Sequence, residues 1–241
     1  MKKSSSYSSV SDLKTRPKNR SLLYLLIGLV CQVFFWYFAS PGPQISGFSD
    51  QGRALEIGIQ GCGLSVVLLM VVPLLIMLLA RDDPRRLPIG LGDYKFGMRA
   101  ICVFGPILIV GTALGSFDES LIRFYPIPGN RIAENLSTFF LWTVWYGCFY
   151  VSFEFFYRGF LLFGTDDIGL FNCFLIQLCC CVLIHMGKPL AETLASIPAS
   201  ILFAWLVIRT GSIWYSFAIH YAVGITNDLA ALFQRGEFFL D

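Results

Sequence analysis

Residues 137–163 read STFFLWTVWYGCFYVSFEFFYRGFLLF, an aromatic-rich apolar stretch longer than the roughly 20 residues a helix needs to cross a bilayer. Its only charges are Glu154 and Arg158: Leu136 to Ser152 carries none, and neither does Gly159 to Gly164. An ionised group in hydrocarbon is costly unless it is paired or used. The stretch therefore poses two questions, what surrounds the helix and what the pair is for.

Composition answers the first. Of 241 residues, 56% are hydrophobic and only 14% charged, with a mean hydropathy of +0.66, against roughly 25% charged residues in soluble domains. The chain is predicted to be an integral, multi-pass membrane protein. Its net charge of +2 is small, and the basic residues gather at segment ends, where topology is set. No nucleic-acid partner is implied. Eight cysteines are present, but Cys148, Cys173, Cys179, Cys180 and Cys181 lie in apolar stretches without CxxC spacing and read as buried thiols. Successive residues 179–181 point about 100° apart on a helix and do not converge on one ion.

Working outward, residues 1–20 form a Ser-rich tail with six Lys/Arg against one Asp, expected to be disordered and cytoplasmic. The apolar span at 21–39 exceeds the 7–15 residues of a signal-peptide core, so it reads as a retained helix. Further spans are expected at 57–80, 100–117, 137–163, 168–186, 192–208 and 213–233. The result is an all-α polytopic transmembrane helical bundle of about seven (six to eight) helices. Residues 21–241 are expected to form one domain, since the connectors SPGP (40–43), RDDPRRLPIG (81–90) and YPIPG (125–129) are short and no repeat is visible. Arg81, Arg85, Arg86, Lys95 and Arg99 are expected to place the 81–99 loop in the cytoplasm with the N-terminus, and the expected location is the cell membrane; counting on puts 164–168 and 209–211 inside and 187–191 outside.

On the fourth span Tyr146, Tyr150, Glu154 and Arg158 recur every four residues, one polar stripe that belongs in the bundle interior. One use for Glu154 and Arg158 is an intrahelical ion pair that locks helices together. The chain's two histidines, His185 and His220, point to another, because both fall in or beside membrane segments. At 1.5 Å per residue Glu154 and His220 are nearly level, about 15 and 12 Å from helix ends on one side. His185 comes out some 10 Å off that level unless its helix is tilted, broken or starts later. Asn227 and Asp228, two turns beyond His220, are candidates to orient it or hold a water, and Gly224 leaves space beside the imidazole.

These residues resemble the CAAX prenyl protease and bacteriocin-processing family of intramembrane proteases, the Ras-converting type included, whose motifs are EExxxR, FxxxH and a later His followed by Asn or Asp. The resemblance covers roughly 137–233: Phe153-Glu154-Phe155-Phe156-Tyr157-Arg158 with Gly159, then Cys181 to His185, then His220 with Asn227 and Asp228. Phe153 stands where the family has its first glutamate, Cys181 where it has phenylalanine, and Gly224 where HxxxN puts asparagine.

The resemblance implies an endopeptidase acting on a membrane-associated or prenylated, CAAX-like protein or peptide. Glu154, Arg158, His185, His220 and Asn227 are the candidate catalytic residues. Glu154 is the best available base for water, and the histidines serve either as oxyanion partners or, with Glu154, as ligands of a zinc ion. Both mechanisms remain open at this level, because no HExxH spacing occurs. Cys181, one turn before His185, is the only thiol positioned to act as nucleophile within the motifs. The alternative class is non-enzymatic: an inactive scaffold conferring peptide resistance, or a proton-coupled carrier.

Overall fold

A computed structural model describes residues 20–39 and 53–237. Apart from Arg20, the expected disordered tail lies outside them, as does the SPGP connector.

Every long apolar segment forms a helix, because a backbone without water must satisfy its N–H and C=O groups within the segment. In chain order these are α1 (Arg20–Ala39), α2 (Ala54–Leu79), α3 (Tyr94–Gly115), α4 (Glu119–Phe124), α5 (Leu136–Leu161), α6 (Leu170–Leu183), α7 (Leu190–Thr210) and α8 (Trp214–Arg235). Among the described residues there is no strand. α1, α2, α3, α5 and α7 are long and apolar enough to cross a membrane. α6 has only 14 residues, and α8 carries His220, Asn227 and Asp228. The short α4 is an element not anticipated from sequence. Asp118 starts it by accepting from Ser120 N at 2.8 Å.

Leu22, Leu26, Leu29, Leu75, Ile107, Val110 and many like them are exposed on the outer faces, a surface that only hydrocarbon accommodates. The inside is aromatic: Tyr24, Phe35, Phe153, Phe156, Tyr157 and Phe160 share one buried cluster. α8 packs on α3 and α5, α2 on α5, and α7 on α6.

Polar contacts sort the helix ends into two sets. At one end Asp82 is bound by Arg20, Arg86 and the Tyr24 hydroxyl, and Ser21 bonds Asp167. There too Asp93 N donates to Thr210 O at 2.8 Å, Ile213 N to Pro88 O at 2.8 Å and Arg209 pairs with Asp93 at 3.2 Å. The Phe96 N–H, together with Arg209, holds the Asp93 carboxyl below its ordinary range. At the opposite end the Tyr125 hydroxyl meets both Glu192 oxygens at 2.9 Å, Lys188 pairs with Glu192 at 2.7 Å and Arg235 bonds the Tyr125 carbonyl. Segments 81–93, 164–169 and 209–213 thus share one end, and 125, 185–192 and 235 the other, the alternation that the order of helices requires.

Close crossings depend on glycine at a few places. Gly92 has φ +51°, and a Cβ there would lie 2.0 Å from Thr210 O; one on Gly97 would lie 2.4 Å from the Tyr215 ring. These two residues bring the start of α3 against the α7–α8 turn.

Candidate active site

The α5 backbone changes its winding at the motif. After Glu154 it continues as seven residues of π-helix, Phe155–Leu161, whose i→i+5 bonding widens the helix and is frequent at functional sites. Every residue from Ser152 to Leu162 is buried. Glu154 and Arg158 are within 1% of complete burial, with Arg158 Nη1 3.2 Å from Glu154 Oε1. The guanidinium lies 5.6–5.8 Å from the ring centres of Phe153, Tyr157 and Phe203, an aromatic enclosure that favours a cation. Its Nη2 donates to Ser200 Oγ at 3.4 Å, and Ser200 donates to Gln177 Oε1 at 3.5 Å.

α8 brings His220 to the same carboxylate, with Nδ1 2.7 Å from Glu154 Oε1. Beside Arg158 the carboxylate accepts and Nδ1–H donates, which leaves Nε2 with its lone pair. Tyr150, Phe203 and Phe153 surround the imidazole at ring separations of 4.6, 5.1 and 5.3 Å. Glu154 Oε2 has no hydrogen-bond partner among the described residues.

His185 follows α6, whose 14 residues end at Leu183, and its ring centre lies 6.3 Å from that of Phe153, which also contacts His220. His185 Nδ1 donates to Cys181 O at 2.7 Å, so its Nε2 too is an acceptor. The Phe153 ring stands nearly perpendicular to both imidazoles, 6.3 Å from His185 and 5.3 Å from His220. The position where the resemblance places a glutamate is thus filled by an aromatic wedge between the histidines.

The zinc set Glu154, His185 and His220 is not assembled in this arrangement. Glu154 is bonded to the Nδ1 edge of His220, and the two imidazole nitrogens face different directions, so this carboxylate and Nε2 cannot ligate one ion. Arg158 adds a positive charge at the same carboxylate. Among the described residues no three His, Cys, Asp or Glu side chains are grouped to hold a metal. These residues do not fit zinc.

Among the described residues no hydrogen bond links Asn227 to Glu154, Arg158 or either histidine. Asp228 is fully buried elsewhere, accepting from Trp142 Nε1 at 2.8 Å. Cys181 is buried on the Arg158 side. Gln177 and Ser200, both buried, were not anticipated, although Gln177, Cys181 and His185 recur every four residues on α6, a stripe visible in the sequence.

An aromatic-walled carboxylate, guanidinium and imidazole drawn from α5 and α8 inside a membrane bundle define the class as a polytopic membrane protein with a buried cluster of ionisable side chains. The comparison with families makes that more specific: residues 135–226 match the model of the Rce1-like family, described as type II CAAX prenyl endopeptidase Rce1-like. The resemblance read from the motifs holds over that segment, which contains Glu154, Arg158, His185 and His220 and ends one residue before Asn227. No curated protein and no solved structure matches the chain.

Proposed function

We propose that the protein is an intramembrane endopeptidase that hydrolyses a peptide bond of a membrane-associated or prenylated substrate, using the Glu154–His220 pair to activate water. The observation that carries this is the 2.7 Å contact between Glu154 Oε1 and His220 Nδ1, made by two helices 66 residues apart in sequence inside the segment similar to prenyl endopeptidases. A carboxylate on Nδ1 orients the ring and stabilises the imidazolium, so Nε2 takes the proton from water as the water oxygen attacks the carbonyl carbon. When the C–N bond breaks, Nε2–H returns that proton to the leaving nitrogen. Glu154 therefore acts through His220, rather than as the base that touches water. An apolar groove of 260 Å³ between α1 and the end of α6, with Trp36, Ile184 and Met186 on its walls, opens beside the His185 turn. Its chemistry suits a substrate that carries a lipid chain.

One observation favours a second reading. Phe153 fills the space between the histidines and is itself buried, which fits a catalytically silent member acting as a membrane scaffold. Purified protein in liposomes, assayed on prenylated peptides and a peptide library, separates the two. The endopeptidase cleaves, loses about 100-fold or more in rate as Glu154→Gln or His220→Gln, keeps most of it as Cys181→Ala and is indifferent to chelators. Full activity in a folded Glu154→Gln protein sinks the assignment, and a wild type that cleaves nothing establishes the silent reading.

A further inference from the structure

Hydrolysis needs a donor for the oxygen that becomes negative in the transition state. Neither histidine supplies one in its neutral form, because each spends Nδ1–H on a fixed acceptor, Glu154 Oε1 for His220 and Cys181 O for His185. Arg158 is turned toward Glu154 and Ser200 behind its aromatic walls. Asn227 makes no hydrogen bond to these groups among the described residues. Beside the His220 ring lies the Tyr150 hydroxyl, whereas the buried Ser216 hydroxyl, one turn before His220, donates to Ile213 O at 2.9 Å.

We propose that the Tyr150 hydroxyl is the oxyanion donor of this site, held in place by a notch at Gly224. Tyr150 lies one turn before Glu154 on α5, and its ring is 4.6 Å from that of His220, at 64°. Its position is set by α8: a Cβ on Gly224 would lie 2.1 Å from Tyr150 Oη and 2.5 Å from Cζ. No other residue at 224 leaves room for the phenol. Gly224 is one turn beyond His220, where the motif HxxxN puts an asparagine amide, so a donor on α5 takes the place that a donor on α8 would occupy. Tyr150 Oη and Tyr146 Oη are 3.1 Å apart. Tyr150 donates in that bond, and its hydroxyl turns the proton from Tyr146 to a substrate oxygen when one is present. Both phenols are buried, which strengthens a hydrogen bond to a developing charge.

This assignment rests on the endopeptidase reading, and the experiment keeps the two apart. Wild type and Tyr150→Phe are compared for kcat and KM on the same lipidated peptide, with unfolding followed in parallel. The expected result is a kcat lower by about 100- to 1000-fold with KM within about twofold, because the donor acts in the transition state. Tyr150→Ala is expected to be equally slow, and Tyr150→Ala combined with Gly224→Asn to recover at least about tenfold, since the cleared notch then admits an amide donor. Equal kcat in an active wild type and Tyr150→Phe overturns this assignment alone. So does a loss that appears in KM and unfolding temperature instead of kcat, or a double variant no faster than Tyr150→Ala. A wild type that cleaves nothing overturns the endopeptidase reading, and this assignment with it.

Discussion

Glu154 is the residue on which the others converge. Its Oε1 serves a guanidinium one turn away and an imidazole from another helix, and its complete burial gives those contacts their weight, since low dielectric magnifies both a satisfied charge and an orphaned one. Replacing it with glutamine leaves Arg158 charged and unpaired. Glu154→Gln is expected to lower stability by about 3 kcal/mol, and Glu154→Gln/Arg158→Gln to recover much of that; unfolding in detergent measures both, independently of activity. Phe153 makes the opposite kind of prediction. A carboxylate in place of the ring that contacts both imidazoles supplies the ligand that Glu154 cannot, so Phe153→Glu is expected to bind about one equivalent of zinc where wild type binds none. Metal analysis of the purified proteins checks it, and the zinc should leave again when His185→Ala is added. Glu154, Arg158 and both histidines were legible as polar exceptions in an apolar sequence. Which nitrogen meets which oxygen was not, because that depends on the relative rotation of α5 and α8.

Among the elements, α6 and α5 depart most from uniform spans. Fourteen residues reach about 21 Å, short of a full span, and the turn that follows holds the His185 ring 6.3 Å from that of Phe153. The π segment of α5 keeps Glu154 and Arg158 on the inner face across the motif. α3 and α8 meet through a glycine, where Gly97 lets the Tyr215 ring lie on the backbone. Gly97→Ala puts a methyl 2.4 Å from that ring and is expected to destabilise the fold by about 1–3 kcal/mol, seen as a lower unfolding temperature with the Glu154–His220 contact intact. The seven apolar segments expected from sequence all formed helices, but five of these are long and apolar enough to cross a membrane, and α3 starts at Tyr94, six residues before its expected start. The short α4 was not readable from sequence, because six amphipathic residues give no periodic signal above loop composition.

At the scale of the whole molecule, the two polar ends frame the apolar belt. Asp82 ties α1, the loop after α2 and, through Arg86, the 164–169 turn into one clasp. Asp82→Ala strands two arginines and is expected to cost about 3–5 kcal/mol, with protease sensitivity rising first in the 81–93 loop. The basic loop sets the orientation: a membrane-impermeant maleimide is expected to label Arg85→Cys only after permeabilisation and Glu119→Cys in intact cells. The amino-acid sequence by itself determined the membrane environment, the helical class, the order of the apolar helices and the shortlist of chemically unusual residues. Each follows from local composition, since an apolar backbone must close its own hydrogen bonds and a buried charge must have a reason. Only the tertiary structure decided that His220 and not His185 takes Glu154, that the Phe153 ring contacts both histidines and that Tyr150 fills the notch at Gly224. Those are matters of how rigid helices rotate and rise against one another, where one residue of shift turns a side chain by about 100°.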